Sequence, residues 1–263
     1  MLELIEFFLA PFLMCLILVG IHCYLGQHVL KRGVIFIDLC LAQVASMGTV
    51  FALILGFDHH GPHSYFISLG LTFFAALIFS LARRAKDRIS QEVLIGLTYA
   101  FSSALSVILL NKIAHGSEHI KEILVGRILW VSSEEVLHTF LLYSGISIVY
   151  YFIHPKLWKL SCGEESVFWD FIFFASFGVI ITSSVGIAGI LLVFSFLIVP
   201  SLLAGFVTKV FTKQLFLGWT IGFILSLVGM ILSYTLDVPA GAMIVICFTV
   251  VPIFSSVVFS LKR

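Results

Sequence analysis

Charged side chains are scarce in this chain. Asp, Glu, Lys and Arg make up 11% of its 263 residues, whereas 60% are hydrophobic. A soluble domain carries about 25% charged and about 45–50% apolar residues, and no water-exposed surface can be assembled from so few polar groups. The shortage excludes a soluble globular fold and leaves the bilayer as the solvent that suits the composition, in keeping with a mean hydropathy of +1.15. No basic tract stands outside short loops, and a net charge of +1 builds no face for nucleic acid, which is not an expected partner.

Other absences narrow the chemistry. The five cysteines (Cys15, Cys23, Cys40, Cys162, Cys247) include no CxxC pair, and four lie in apolar runs where a thiol behaves as a small hydrophobe. A disulfide framework or zinc knuckle is not expected. The phosphate-cradling GxxxxGK[ST] motif is missing, as are HExxH, GxSxG and the dinucleotide-binding fingerprint. The chain is therefore not expected to be an enzyme, and any ATP hydrolysis belongs on a partner chain. The stretch SEEVLH at 133–138 falls at a helix start, where glutamates favour the helix dipole. Glu3 and Glu6, rather than Lys or Arg, precede the first apolar run, which reads as a span and not a signal peptide.

What is present is a succession of long apolar segments. A membrane-crossing helix needs about 20 mostly apolar residues, and nine segments qualify: 7–25, 34–56, 65–82, 93–111, 136–153, 168–185, 187–205, 215–235 and 242–260. The boundary at 185–187 is the weakest, because 167–205 is nearly continuous, and merging there leaves eight. The fold class is all-α, a polytopic helical membrane protein of about eight to nine spans forming a single domain over 1–263. Residues 119–131 are too polar for a span and suggest an interfacial or re-entrant segment. Ser132 and Glu135 have capping-box spacing. With the N-terminus outside and the C-terminus inside, 12 of the 15 Lys and Arg residues fall on the cytoplasmic side; only Lys112, Lys121 and Arg127 do not.

Polar residues inside apolar spans are costly and are candidate functional groups. Asp38 and Gln43 lie in the second span, about 140° apart on a helix and so on different faces. Asp38 either lines a polar seam or pairs with Lys31 or Arg32. His22, at the end of the first span, is placed to reach the depth of Asp38. An imidazole beside a carboxylate makes a zinc-type site, and a hydrogen-bonded structural histidine is the alternative. Asp237, in LDVPAG, either caps the last span or draws a cation to the pore mouth. His59, His60 and His63 in the external DHHGPH loop either collect metal or sit in a solvated turn, which Gly61-Pro62 favours.

Several stretches resemble one family. SYTLDVPAGAMIVI (233–246) is similar to the SY-x-x-D-x-P-x-G-x-x-I-V signature of ABC-3 permeases, with Ser233, Tyr234, Asp237, Pro239 and Gly241 matching. GRILWVSSEEV (126–136), EVLIGLTYAFSSALSVILL (92–110) and VGIAGILLVFSFLIVPSLLAG (185–205) resemble further family segments, the last a helix ending in a Pro. The resemblance implies the permease subunit of an importer in the bacterial cytoplasmic (inner) membrane. Its cargo is a divalent metal, zinc first, then manganese or iron, with no permanently bound cofactor. It further implies a homodimer with the pore at the dimer interface, a cytoplasmic ATP-binding subunit and an extracytoplasmic metal-binding protein. A coupling helix near 200–214 follows from it, with Leu203, Gly205, Phe206, Lys209 and Lys213 facing the ATPase; the lysines also fit plain positive-inside topology. One departure stands out. The family's G-D-x-x-x-H-A pattern reads FIDLCLAQVASMG (36–48) here, and with Gly48 in register Leu39 takes the Asp position and Gln43 the His position. The alternatives are a permease for a chelated metal such as a siderophore, or a stand-alone secondary transporter. The latter would show internal repeats, and no convincing repeat is found.

Overall fold

The computed structural model describes residues 2–58, 61–83, 89–112 and 123–261, with side chains described over 7–256 of these. Among the described residues nine α-helices follow one another: α1 (Leu2–Arg32), α2 (Ile37–Ile54), α3 (Pro62–Ala82), α4 (Gln91–Leu110), α5 (Ser133–Ser161), α6 (Val167–Ala188), α7 (Ile190–Val207), α8 (Phe211–Leu236) and α9 (Ala240–Leu261). There is no strand among the described residues. Among the described residues eight helices are long and apolar enough to cross a membrane, and α9 is apolar over Ala240–Ser256.

Local chemistry sets the helix ends. Ser90 and Ser166 accept hydrogen bonds from the backbone N–H groups of Val93 and Trp169, opening α4 and α6. At α5 the expected capping box forms: Ser132 Oγ accepts from the Glu135 N–H, and Glu135 Oε2 accepts from the Ser132 N–H at 2.9 Å. Pro62 takes the first turn of α3, where its missing N–H costs nothing.

α2 and α7 are central, each about two-thirds buried, whereas α4, α5 and α8 bury less than a third. One group of helices gathers α3, α4 and α6 around α2, another gathers α1, α8 and α9 around α7, and α5 bridges α1 and α6. Lipid supplies no hydrophobic drive between helices, so close approach of small residues and hydroxyl hydrogen bonds carry the packing. Gly48 backs onto Ser68, and Thr49 hydrogen-bonds Ser68 at 3.0 Å across α2 and α3. Ser201 of α7 donates to the Cys23 carbonyl of α1 at 2.9 Å.

Three expectations change. The break expected at 185–187 falls at Gly189, whose φ of 76° separates α6 from α7. α7 does not end at Pro200 but runs to Val207, so 200–214 is the end of one helix, three extended residues and the start of the next, not a separate coupling helix. Asp237 caps the end of α8 rather than the start of α9. It sits in the left-handed region (φ 53°, ψ 49°), its N–H bonds the Ser233 carbonyl, and Ser233 Oγ donates to the Val238 carbonyl at 2.6 Å.

The polar segment before α5 folds back into the bundle. Arg127 N–H donates to the Ile187 carbonyl at 2.9 Å, Arg127 pairs with Glu135, and Ile128 is buried. Gly126 and Gly189 meet backbone to backbone, and Gly241 rests on the Val125 carbonyl. A Cβ on Gly189 would stand 2.6 Å from Val125 C and 2.7 Å from Leu124 O. Its backbone (φ 76°, ψ 162°) lies in a region only glycine occupies readily, at a cost of order 1–3 kcal/mol for other residues, and overpacking adds about 1–3 kcal/mol. Gly189→Ala is expected to lower the melting temperature of the detergent-solubilised protein strongly. Gly186→Ala, three residues earlier with no atom near its Cβ, should leave it unchanged or raise it; equal melting of the two variants would refute this packing.

Candidate functional site

Asp38 is the one charged residue of the second apolar run, and α2 turns it into the bundle. It is fully buried, and neither carboxylate oxygen has a hydrogen-bond partner among the described residues. The pairing with Lys31 or Arg32 is not formed, since Arg32 is engaged elsewhere. Gln43 lies on the other side of α2, half-buried in a stripe with Phe36, Leu39, Met47 and Ile54. Helical geometry puts these five within about 80° of one another and Asp38 roughly opposite them. The two positions that match the family's Asp and His, Leu39 and Gln43, therefore lie on one partly exposed face of a central helix.

Between α2 and α6 a hydroxyl seam continues inward. Thr72 and Thr182 are 3.3 Å apart, and Ser46, Thr49 and Thr182 line a void of about 50 Å³ closed by Ile123 of the re-entrant segment. Ser46 Oγ is buried without a partner. A void of this size with several hydroxyls suits a water or a small hydrated ion.

His22 does not meet Asp38. It stands ten residues before the end of α1, about 15 Å along the axis, whereas Asp38 is the second residue of α2. Its Nδ1 lies 2.8 Å from the Leu18 carbonyl, which accepts only, so the proton is on Nδ1. Nε2 faces Ser184 Oγ at 3.4 Å. Next to it stands Tyr143, ring centroids 6.5 Å apart, whose hydroxyl donates to the Ile180 carbonyl at 3.1 Å. Tyr143 also lines a cavity of about 900 Å³, an apolar groove between α1, α5 and α8 walled by Leu13, Phe140 and Trp219.

The densest polar cluster lies at the end of the bundle where α1 and α3 finish. Arg32 Nη1 and Arg83 Nη1 both donate to Asp170 Oδ1, at 2.9 and 2.6 Å. Asp170 is fully buried and the Arg32 side chain is 4% exposed. Arg32 also donates from Nε to Ser161 and lies 4.0 Å over the Phe173 ring. Arg83 Nη2 donates to the carbonyls of Leu160 and Glu164. Ser161 gives its proton to the Leu157 carbonyl, so His28 Nδ1, 2.8 Å away, donates to it. One carboxylate thus ties four helices, α1, α3, α5 and α6. Asp170 is the only charged residue between 167 and 205, and that isolation is the signal a sequence reading had available.

The other expected site residues are dispersed. Asp237 is exposed. His63 is exposed in the first turn of α3, its ring 4.9 Å from that of Phe57, and His59 and His60 lie outside the described residues. Leu203 is buried, Gly205 half-buried, and Phe206, Lys209 and Lys213 are exposed where α7 hands over to α8. Among the described residues no three His, Cys, Asp or Glu side chains come together as a metal-binding set. All five cysteines are free.

The sequence matches the family described as the ABC 3 transport family over residues 5–259. A Haemophilus influenzae protein named "Probable iron transport system membrane protein" is 25% identical over 260 residues, covering 94% of this chain and 92% of that one. The manganese transport system membrane protein MntC of Listeria monocytogenes is 24% identical over 247 residues, covering 91% and 85%. Among solved structures, PsaBC from Streptococcus pneumoniae in complex with Fab matches with a TM-score of 0.75 at 20% identity, over 92% of this chain and 88% of that one. The two share a fold.

Proposed function

The chain belongs to the ABC 3 transport family, and from that premise we propose that it is the permease subunit of an importer that moves divalent metal ions into the cytoplasm. One observation carries this reading: the family match runs the length of a nine-helix apolar bundle. Lacking a phosphate-cradling motif, the chain takes its energy from a separate ATP-binding subunit. Manganese and iron lead as cargo, because the relatives above carry those metals in their names; zinc follows. The basic end of the bundle faces the cytoplasm, which puts the N-terminus and the end bearing His63 outside, toward an extracytoplasmic metal-binding protein.

The dimer is part of the same proposal. The described residues of one protomer hold no metal-ligand cluster, and Leu39 and Gln43 of a central helix are only half-buried. Two copies facing each other across the α2 stripes double the polar groups available and close a path between them. Asp38, on the far side of α2, sets the charge beside that path. Residues 203–213 at the α7–α8 junction present the surface for the ATPase.

The test is metal uptake in cells lacking the chain and rescued by it, measured separately for manganese, iron and zinc. The expected result is restored uptake of at least one bare metal, dependent on an intact ATP-binding partner. Uptake that appears only with a chelator present favours the siderophore-type reading. Uptake that persists without any ATPase subunit favours a secondary transporter, and no rescue for any metal overturns the proposal.

A further inference from the structure

The geometry points to a phosphate-binding site at the basic end of the bundle, shaped for the phosphodiester of an anionic phospholipid. A cavity of about 400 Å³ opens there, with Lys31, Arg32, Arg83, Ser161 and Glu165 in its walls. Arg32 spends Nη1 on Asp170 and Nε on Ser161, but its Nη2 is buried and has no partner among the described residues. An unmade bond from a buried guanidinium costs roughly 1–3 kcal/mol or more, so this donor marks a place where an acceptor belongs.

Charge points the same way. Among the described residues there, three cations, Lys31, Arg32 and Arg83, stand against two carboxylates, Asp170 and Glu165. One positive charge is left over, which matches the single negative charge of a phosphodiester. Swinging Arg32 Nη2 onto the free Asp170 Oδ2 would pair two orphan atoms but would leave that surplus in place. Guanidinium groups suit phosphate oxygens through paired N–H donors. Lys31 is exposed beside the cavity and supplies a mobile ammonium.

The surroundings select a lipid rather than a soluble phosphate ester. Leu81, Ile89 and Val93, at the adjoining ends of α3 and α4, are exposed apolar side chains, a surface on which an acyl chain can lie while its headgroup turns into the cavity. Basic pockets between helices at the cytoplasmic face bind anionic headgroups in this way. Such a lipid would bridge the ends of α1 and α3 to the α5–α6 turn, adding an external partner to the Arg32–Asp170–Arg83 cluster.

The test uses the whole purified chain in a neutral detergent, with melting temperature as readout. Phosphatidylglycerol, phosphatidylcholine and inorganic phosphate are added in separate arms. Phosphatidylglycerol is expected to raise the melting temperature in a salt-sensitive manner, and phosphatidylcholine to have no effect. Lys31→Gln leaves the ion cluster intact, so it should melt like the parent without lipid yet lose most of the phosphatidylglycerol shift. Stabilisation by inorganic phosphate equal to that by phosphatidylglycerol keeps the phosphate site but assigns it to the free ion. Equal shifts from both lipids, no shift from any arm, or a full shift in Lys31→Gln would overturn the proposal.

Discussion

Asp170→Ala is expected to cost about 3–5 kcal/mol of stability, the range for removing one partner of a buried ion pair. The loss arises from what remains. Arg32, almost fully buried, and Arg83 would both point at an empty position, and two like charges would face each other without the carboxylate between them. The expected readout is a large drop in the yield of folded protein and in the detergent melting temperature. Joint replacement of Arg32 and Asp170 by Met should recover much of the loss, because an apolar pair of similar volume removes the uncompensated charge. Arg83 would keep its two backbone acceptors in that variant. A single Asp170→Ala protein that melts with the parent would show that the cluster contributes nothing.

Asp38→Ala should do the opposite, abolishing metal uptake while leaving the fold intact. Asp38 is as buried as Asp170 but has no partner. An unsatisfied buried polar group costs about 1–3 kcal/mol, so its removal should leave melting unchanged or raise it. An ionisable residue that lowers stability inside an apolar span is a candidate for function. Uptake is expected to fall to background in Asp38→Ala. Asp38→Asn, which keeps the volume and drops the charge, should fall with it. Unchanged uptake at normal expression would show that the Asp38 charge beside the path has no part in transport.

Asp38 and Asp170 look alike in the sequence and differ in the fold. Both are lone charges in apolar runs and equally conspicuous in one dimension. Asp38 invited attention because Lys31 and Arg32 stand nearby in the chain, and an ion pair with them was one expected outcome. The arginine goes instead to Asp170, 138 residues away, with Arg83 joining from 87 residues away on the other side. Sequence proximity misled because Arg32 ends α1 on the side packed toward α5 and α6, whereas Asp38 enters α2 beyond the turn at Gly33. The capping box at Ser132 and Glu135 was legible for the converse reason: its partners are three residues apart and need no tertiary contact.

The sequence by itself determined that the chain is a bundle of apolar helices and to which family it belongs. Each of those properties adds up residue by residue along the chain, because a bilayer tests every 20-residue segment for apolarity alone. Only the tertiary structure decided that Asp38 is buried with no partner among the described residues, that Leu39 and Gln43 share a half-buried face turned away from it, and that Arg32, Arg83 and Asp170 form one cluster. In lipid, helices choose neighbours by small-residue fit and by the pairing of a few polar groups, and these are properties of pairs of surfaces that no single helix carries.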